Sequence, residues 1–219
     1  MSSADVPTPT FALRFLAHPA GVFLATLPFA LLAVTGMFRL VVFDGTPGPQ
    51  HPAPLLWPAG SAIQRSTTDN TVVIFAHPSC ACTRSTLYEL SRVIDTQNRA
   101  VLATRTVVLF VRPAHDTTWQ PGDIWDQVSS IPRAHAQWDE DGVEARRFHA
   151  GTSGIVLLYD IHGRLLFEGG ITGARGHAGD NYGSEHLRSA LESGISAQSA
   201  TPVFGCSLAI PRPPGKEPR

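Results

Sequence analysis

Residues 71–86 read TVVIFAHPSCACTRST, and this stretch decides the fold of the chain. Residues 71–75 form a short β-branched and aromatic run, which is typical of a buried strand. From residue 83 to residue 94, apolar side chains recur at helical spacing, so a helix is predicted soon after the strand. Cys80 and Cys82 lie between the two elements. The sequence therefore predicts a strand–turn–helix unit that carries two exposed thiols at the start of its helix.

The position of the two thiols predicts reactivity. The first backbone N–H groups of a helix lack partners within the helix and carry a partial positive charge, which stabilises a thiolate. A disulfide between Cys80 and Cys82 would close a very small ring, and strain in such a ring makes the bond easier to reduce. The pattern favours redox chemistry, with metal binding by soft thiolates as the alternative, over two inert buried cysteines.

The rest of the chain continues an α/β pattern, and its elements are predicted from periodicity and turn residues. They are strands at 105–111, 155–159 and 164–168, helices at 122–128 and 141–148, and a last helix with Ser184 as N-cap that ends near Gly194. The predicted order is β-α-β-α-β-β-α, with the last two strands forming a hairpin.

The segment HPSCACTR at 77–84 resembles the active-site segment of the thioredoxin superfamily, in which a cysteine follows a strand at a helix start. Together with GGITGARGHAGDNYG at 169–183 and VFGC at 203–206, it resembles the membrane-anchored bacterial RedB-type proteins of that superfamily. The resemblance implies a thioredoxin-like three-layer sandwich with a central mixed sheet. It also implies a thiol–disulfide oxidoreductase.

Three features depart from the thioredoxin pattern. The second cysteine comes one residue early, so that Thr83 stands in its usual place. Ile74 stands near the position of a buried Asp, and residues 151–154 contain no proline before the third predicted strand. Substrate docking and proton transfer therefore cannot be carried over from thioredoxin.

Further candidate site residues follow from the topology. The last strand of a thioredoxin-like sheet runs parallel to the strand before the cysteines, so the glycine-rich stretch 169–183 is expected at the same sheet edge. Arg175 and His177 are then predicted beside the thiols, where an arginine can stabilise a thiolate. His77 can accept a proton from a thiol. The predicted catalytic residues are Cys80, Cys82, His77, Arg175 and His177.

Cys206 follows the last predicted helix by about eleven residues, enough extended chain to return about 35 Å. It is a candidate resolving thiol, a candidate third metal ligand, or an inert surface cysteine. The redox interpretation requires no cofactor. In the alternative interpretation, copper or zinc is bound by Cys80, Cys82, His77 and Cys206, with His177 as a further candidate ligand.

The N-terminal part carries a separate signal. Residues 19–38 contain no charged residue, and this run is long enough to cross a bilayer as a helix. A cleaved signal peptide is the competing interpretation. The predicted organisation is a tail at 1–18, a transmembrane anchor at 19–41, a Pro/Gly-rich linker at 42–61, a thioredoxin-like domain at 62–207 and a disordered tail at 208–219.

Charge and chemistry limit the partners. The chain has 17 Lys and Arg against 18 Asp and Glu, which provides no basic face for nucleic acid. The short N-terminal tail and the thiols favour a single-pass protein of the cytoplasmic (inner) membrane, with its C-terminal domain outside the cytoplasm. The expected partners are protein thiols or disulfides and a membrane or thiol electron donor. A non-catalytic anchored domain for protein contacts is the third interpretation.

Overall fold

The computed structural model describes residues 19–95, 98–114, 118, 120, 122–195 and 200–208. The predicted tail at 1–18 lies outside these residues, as does the predicted disordered tail beyond residue 208. The chain divides into two units, residues 1–43 and residues 44–219. Each unit is described separately below.

The described part of the first unit is helical. Helix α1 (Pro19–Asp44) is apolar along most of its length and contains Pro28, which a membrane helix tolerates. Its segment Val22–Asp44 is long and apolar enough to cross a membrane, and none of its most apolar window is buried. A signal sequence would share these properties, so the helix is a candidate membrane span or signal anchor.

Within the described residues, the second unit is built on a five-stranded sheet in the order β3-β2-β1-β4-β5. The strands are β1 (Thr71–Ala76), β2 (Arg105–Arg112), β3 (Ala134–Glu140), β4 (Ile155–Tyr159) and β5 (Leu165–Gly169). β1, β2 and β3 are parallel, whereas β4 is antiparallel to β1 and β5 is antiparallel to β4. β5 therefore runs parallel to β1, and the two strands end at the same edge of the sheet.

Both faces of the sheet are covered. The helices are α2 (Ala81–Ile94), α3 (Arg99–Leu102), α4 (Gly122–Ser129), α5 (Val143–Arg147) and α6 (Tyr182–Ser193). Because side chains alternate along a strand, β1 contributes to two cores. Ile74 packs with Leu87 of α2 and Leu187 of α6, while Phe75 belongs to the opposite core with Phe148. The predicted three-layer, thioredoxin-like sandwich with a central mixed sheet is confirmed.

Strand β3 is missing from the sequence prediction. It is an edge strand in which alternate residues such as Trp138 pack on the core, so it lacks the continuous apolar run that marks β1. Its next-to-last residue is a buried carboxylate: Asp139 accepts hydrogen bonds from the backbone N–H groups of Glu144 and Ala145 at 2.9 and 2.8 Å. These bonds hold the start of α5, which is shorter than the predicted helix at 141–148.

The last helix begins earlier than predicted. Ser184 lies inside α6, and the N-cap is Asn181, whose side chain accepts a hydrogen bond from the Ser184 N–H at 2.9 Å. Asn is as good an N-cap as Ser, and the local sequence allows both. The predicted end is confirmed, because Gly194 caps the helix in the left-handed region with φ of 66°.

Residues 44–61, most of the predicted linker at 42–61, are part of the second unit. Ala53 is buried, and the Trp57 ring lies edge-on, 5.1 Å from the rings of both Phe148 and Tyr159. Its proline-rich composition is typical of a spacer, but Ala53 and Trp57 pack in the core on one face of the sheet. The second unit therefore begins at residue 44 and not at the predicted residue 62.

Candidate active site

Cys80 and Cys82 lie where β1 gives way to α2. Cys80 is the N-cap of α2, with extended backbone angles of φ −94° and ψ 121°, and Cys82 lies in the first helical turn. The Cys80 N–H donates to the His77 carbonyl at 3.1 Å, and the Thr83 N–H donates to the Cys80 carbonyl at 3.0 Å. These bonds hold both thiols at the positive end of the helix dipole.

The third cysteine arrives on residues 201–208, which we call the C-terminal strap. The strap lies antiparallel to the loop before β4. The Ser153 N–H donates to the Cys206 carbonyl at 2.8 Å, and the Leu208 N–H donates to the Gly151 carbonyl at 2.9 Å. This backbone pairing fixes the position of Cys206 against the turn that carries the other two cysteines.

The sulfur of Cys206 lies 2.8 Å from the sulfur of Cys80. Cys80 and Cys82 are only 3% and 7% exposed, whereas Cys206 is exposed. The expectation that the two helix-start thiols face solvent is therefore wrong, because the strap and the loop after β5 cover them. Of the three cysteines, Cys206 is the one that solvent reaches.

The three thiols differ in acidity. The pKa of Cys80 is lowered to about 4, chiefly because the Cys82 side chain donates a hydrogen bond to its sulfur; Cys206 adds further donors, while burial acts in the opposite direction. The same hydrogen bond, together with burial, raises the pKa of Cys82. Although Cys206 is exposed as a residue, its sulfur faces Cys80, and burial there raises its pKa to about 11. The site therefore favours the ionised form of Cys80 and disfavours the ionised forms of Cys82 and Cys206.

The glycine-rich loop after β5 brings Arg175 to the strap. Its guanidinium donates hydrogen bonds to the carbonyl oxygens of Gly205 and Thr46, the second at 3.2 Å. Its positive charge lowers the pKa of Cys206, against the stronger effects of burial and of Cys80. The structure therefore places Arg175 beside the strap that carries Cys206, at the sheet edge that the topology predicts, and Cys206 is a thiol on which its charge acts.

The next two residues of this loop differ in position: Gly176 lies near Cys82, and His177 is exposed to solvent. The backbone of Gly176 lowers the pKa of Cys82, against the larger opposing effects of Cys80 and burial. His177 is exposed, and its N–H donates to the Ala174 carbonyl at 3.3 Å. Within the described residues, no contact joins the His177 ring to a sulfur, so the structure does not bring this predicted site residue together with the thiols.

His77 lies in the turn itself and is half-buried. Its Nδ1 accepts a hydrogen bond from the Ser79 N–H at 3.1 Å. Burial lowers the pKa of the ring, and the nearby charge of Cys80 opposes this effect. In the neutral ring Nδ1 is therefore the acceptor, and Nε2 carries the proton.

Sequence reasoning did not predict the contribution of Ser153. Its buried hydroxyl accepts a hydrogen bond from the His77 N–H at 2.9 Å and lies 2.9 Å from the Thr83 hydroxyl. Thr83, at the usual position of a second cysteine, also donates to the His77 carbonyl at 3.1 Å. These bonds lock the cysteine turn to the loop that holds the strap. The only signal in the sequence is that a small polar residue precedes β4 where thioredoxins have proline.

The metal alternative involves Cys80, Cys82, His77 and Cys206. Among the residues that the structure describes, no three His, Cys, Asp or Glu side chains form a group that could hold a metal ion. The sulfurs contact one another through hydrogen bonds. The copper or zinc site therefore stays a prediction.

Three parallel strands, an antiparallel pair and thiols at the start of the first sheet-packed helix define a protein with a thioredoxin-like fold. A hypothetical protein of Sinorhizobium meliloti matches with a TM-score of 0.56 at 16% identity, covering 72% of this chain and 95% of its own. An uncharacterized conserved protein of Geobacillus kaustophilus matches with a TM-score of 0.55 at 19% identity, covering 77% and 94%. No protein-family model matches the sequence, and neither does any curated protein.

The hydrogen bond from Cys82 to Cys80 leads to a testable prediction on acidity. Alanine at position 82 removes the donor, so the pKa of Cys80 is expected to rise above about 4. Serine keeps a donor, and Cys82→Ser is the matched control with a smaller rise. As pH falls, the thiolate ultraviolet absorbance of the reduced protein should disappear at higher pH in Cys82→Ala than in wild type. Identical titrations of all three proteins would contradict the assignment.

Proposed function

We propose that this chain is a thiol–disulfide redox protein in which Cys80 is the reactive sulfur. The observation that carries the proposal is the sulfur–sulfur contact of 2.8 Å between Cys206 and the helix-capping Cys80. Cys82 also donates a hydrogen bond to the Cys80 sulfur. One sulfur with two thiol neighbours can exchange its partner without rearrangement of the fold.

The reaction conserves atoms and electrons. The Cys80 thiolate attacks one sulfur of a substrate disulfide and forms a mixed disulfide, and the second substrate sulfur leaves and takes a proton. A second protein thiol then attacks the Cys80 sulfur and releases the substrate as a dithiol. Cys82 is the second thiol that the sequence predicts, and Cys206 is the one whose sulfur lies 2.8 Å away.

His77 and Arg175 support this chemistry from two sides. His77 is close enough for the charge of Cys80 to act on its ring, and it takes up the proton of an approaching thiol at Nδ1 when the Ser79 N–H releases that atom. Arg175 holds the strap through the Gly205 carbonyl, and its charge favours an anionic sulfur at Cys206. We assign His77 to proton transfer and Arg175 to positioning.

We also propose that α1 anchors the protein in the cytoplasmic membrane, with the second unit outside the cytoplasm. Its apolar segment Val22–Asp44 has the length that a bilayer requires. An oxidising compartment is where a protein disulfide persists. Protein thiols or disulfides, and a membrane or thiol electron donor, are the partners that this location supplies.

A redox titration of the full-length protein in detergent tests the function, with metal analysis on the same sample. We expect a reversible two-electron transition, with one disulfide gained and two thiols lost in the oxidised form. A protein whose thiols stay reduced across strongly reducing and strongly oxidising glutathione buffers would rule the function out. Copper or zinc bound in stoichiometric amount, and lost in Cys80→Ser, would support the metal alternative instead.

A further inference from the structure

We propose that Cys206 is the disulfide partner of Cys80 and the sulfur through which the site meets a dithiol substrate. This inference rests on the proposed thiol–disulfide function and assigns the cysteine of the site that a substrate meets. Cys206 lies 126 positions along the chain from Cys80, so the assignment depends on how the strap is docked.

Hydrogen bonds and a buried side chain hold the strap along its length. At its start, the Thr201 hydroxyl donates to the Gly170 carbonyl at 2.7 Å. In its middle, the Gly48 N–H donates to the Val203 carbonyl at 2.8 Å. Val203 is buried in the core on that face of the sheet. With the bonds at residues 206 and 208 described above, these contacts hold the strap at both ends, so Cys206 is not on a free tail.

Close packing at Gly205 sets the depth of the strap. A Cβ atom at this position would lie 1.9 Å from the Ser153 carbonyl oxygen and 2.9 Å from the Ser153 carbonyl carbon. No side chain fits there, because real Cβ atoms do not approach backbone so closely. Glycine therefore lets the strap come near enough for the neighbouring Cys206 to reach Cys80.

Access favours Cys206 as the point of attack. Cys80 is 3% exposed and Cys82 is 7% exposed, so both residues are covered while the strap is docked. Cys206 is exposed. The competing disulfide, Cys80 with Cys82, would close a small and strained ring in the first turn of α2.

The step follows from these positions. A substrate thiolate attacks the Cys206 sulfur of the Cys80–Cys206 disulfide, so a new sulfur–sulfur bond forms and the old one breaks. The electron pair leaves with Cys80, whose anion receives the hydrogen bond of Cys82. Thiols of low pKa are the better leaving groups, which favours this direction of cleavage. The second thiolate of the substrate then attacks the substrate sulfur of the mixed disulfide, and Cys206 departs and takes up a proton.

Peptide mapping under non-reducing conditions tests the pairing. Full-length protein is oxidised with glutathione disulfide, its free thiols are alkylated, and its peptides are identified by mass. We expect a Cys80–Cys206 cross-link with Cys82 alkylated, and loss of this cross-link in Cys206→Ser. A Cys80–Cys82 cross-link in wild type would overturn the inference and leave the proposed function intact. Absence of every disulfide would remove both.

The site of attack is read from a second experiment. Oxidised Cys82→Ser protein is treated with reduced glutathione, quenched with acid and mapped. Glutathione is expected on Cys206, with Cys80 as the free thiol. Glutathione on Cys80 would overturn the assignment of Cys206 as the sulfur that the substrate attacks.

A strap variant separates docking from chemistry, because it leaves all three thiols in place. Gly205→Ala is expected to lose most of the Cys80–Cys206 cross-link. Gly36→Ala adds the same methyl group where no atom lies within 4 Å and serves as the matched control. An unchanged cross-link in folded Gly205→Ala protein would show that the strap geometry does not determine the pairing.

Discussion

Replacing Cys80 with serine is expected to reduce thiol–disulfide exchange by at least about 100-fold, because covalent catalysis needs a sulfur at this position. Cys80 is the sulfur that contacts both Cys82 and Cys206. Its loss therefore removes both disulfides that the site can form, whereas loss of either neighbour leaves one. A serine hydroxyl is not ionised near neutral pH and forms no disulfide. Exchange with glutathione disulfide, followed by the release of reduced glutathione, measures the effect.

The neighbouring thiols provide the matched controls for this prediction. Cys82→Ser keeps the Cys80–Cys206 contact and a hydrogen-bond donor at position 82, so it should retain more exchange activity than Cys80→Ser. Cys206→Ser keeps only the Cys82 neighbour and should lie between the two. Equal rates in Cys80→Ser and wild type would contradict the role of Cys80. A common loss in all three variants, with the fold intact, would show that the thiols act as one unit.

A second large effect is expected on stability at Gly183, in the first turn of α6. A Cβ atom here would lie 2.0 Å from the Gly170 carbonyl oxygen and 3.1 Å from the Ile171 Cα atom. Both neighbours are buried backbone, which cannot move aside as a flexible side chain can. Gly183→Ala is therefore expected to lower the free energy of unfolding by about 3 kcal/mol, the upper part of the range for overpacking. In a domain of this size, the thermal midpoint would fall by roughly 10 °C.

Gly36→Ala is again the control, because its added methyl group meets no atom within 4 Å. Thermal and denaturant unfolding of the second unit should be unchanged in this variant. If Gly183→Ala unfolded at the wild-type temperature, then α6 would not pack against residues 170–171 as closely as the structure shows. Because these residues begin the loop that carries Arg175, the Gly183 variant should also weaken the docking of the strap.

Thr83 stands where thioredoxins have their second cysteine, and hydrogen bonds fix the turn at this position. Thr83 occupies that position, and its hydroxyl lies 2.9 Å from that of Ser153 and donates to the His77 carbonyl. The bonds that fix the turn thus come from a threonine and a serine, and the second and third sulfurs come from Cys82 and the strap. The Cys-x-Cys spacing and the docked strap together bring three sulfurs to the start of α2.

The edge strand β3 and the segment at 42–61 are the parts of the fold that local sequence patterns did not predict. β1 and β4 are predicted closely because each is a continuous run of buried apolar residues. β3 is not predicted, because its packing alternates with polar residues at the sheet edge. The segment at 42–61 was expected to be a spacer, because proline content reports backbone preference and not whether a few apolar side chains find a surface to cover.

The sequence by itself determined the strand–turn–helix unit, the position of Cys80 and Cys82 at a helix start, and the arrival of Arg175 at the same edge. These properties depend on local periodicity and on the direction of strands, and both can be read along the chain. Only the tertiary structure decided that Cys206 contacts Cys80 and that the strap covers the helix-start thiols. Those properties depend on contacts between segments more than 100 positions apart, such as Cys80 and Cys206. The distance between the sulfurs and the burial of the thiols are set by tertiary packing, which cannot be predicted from a local sequence pattern.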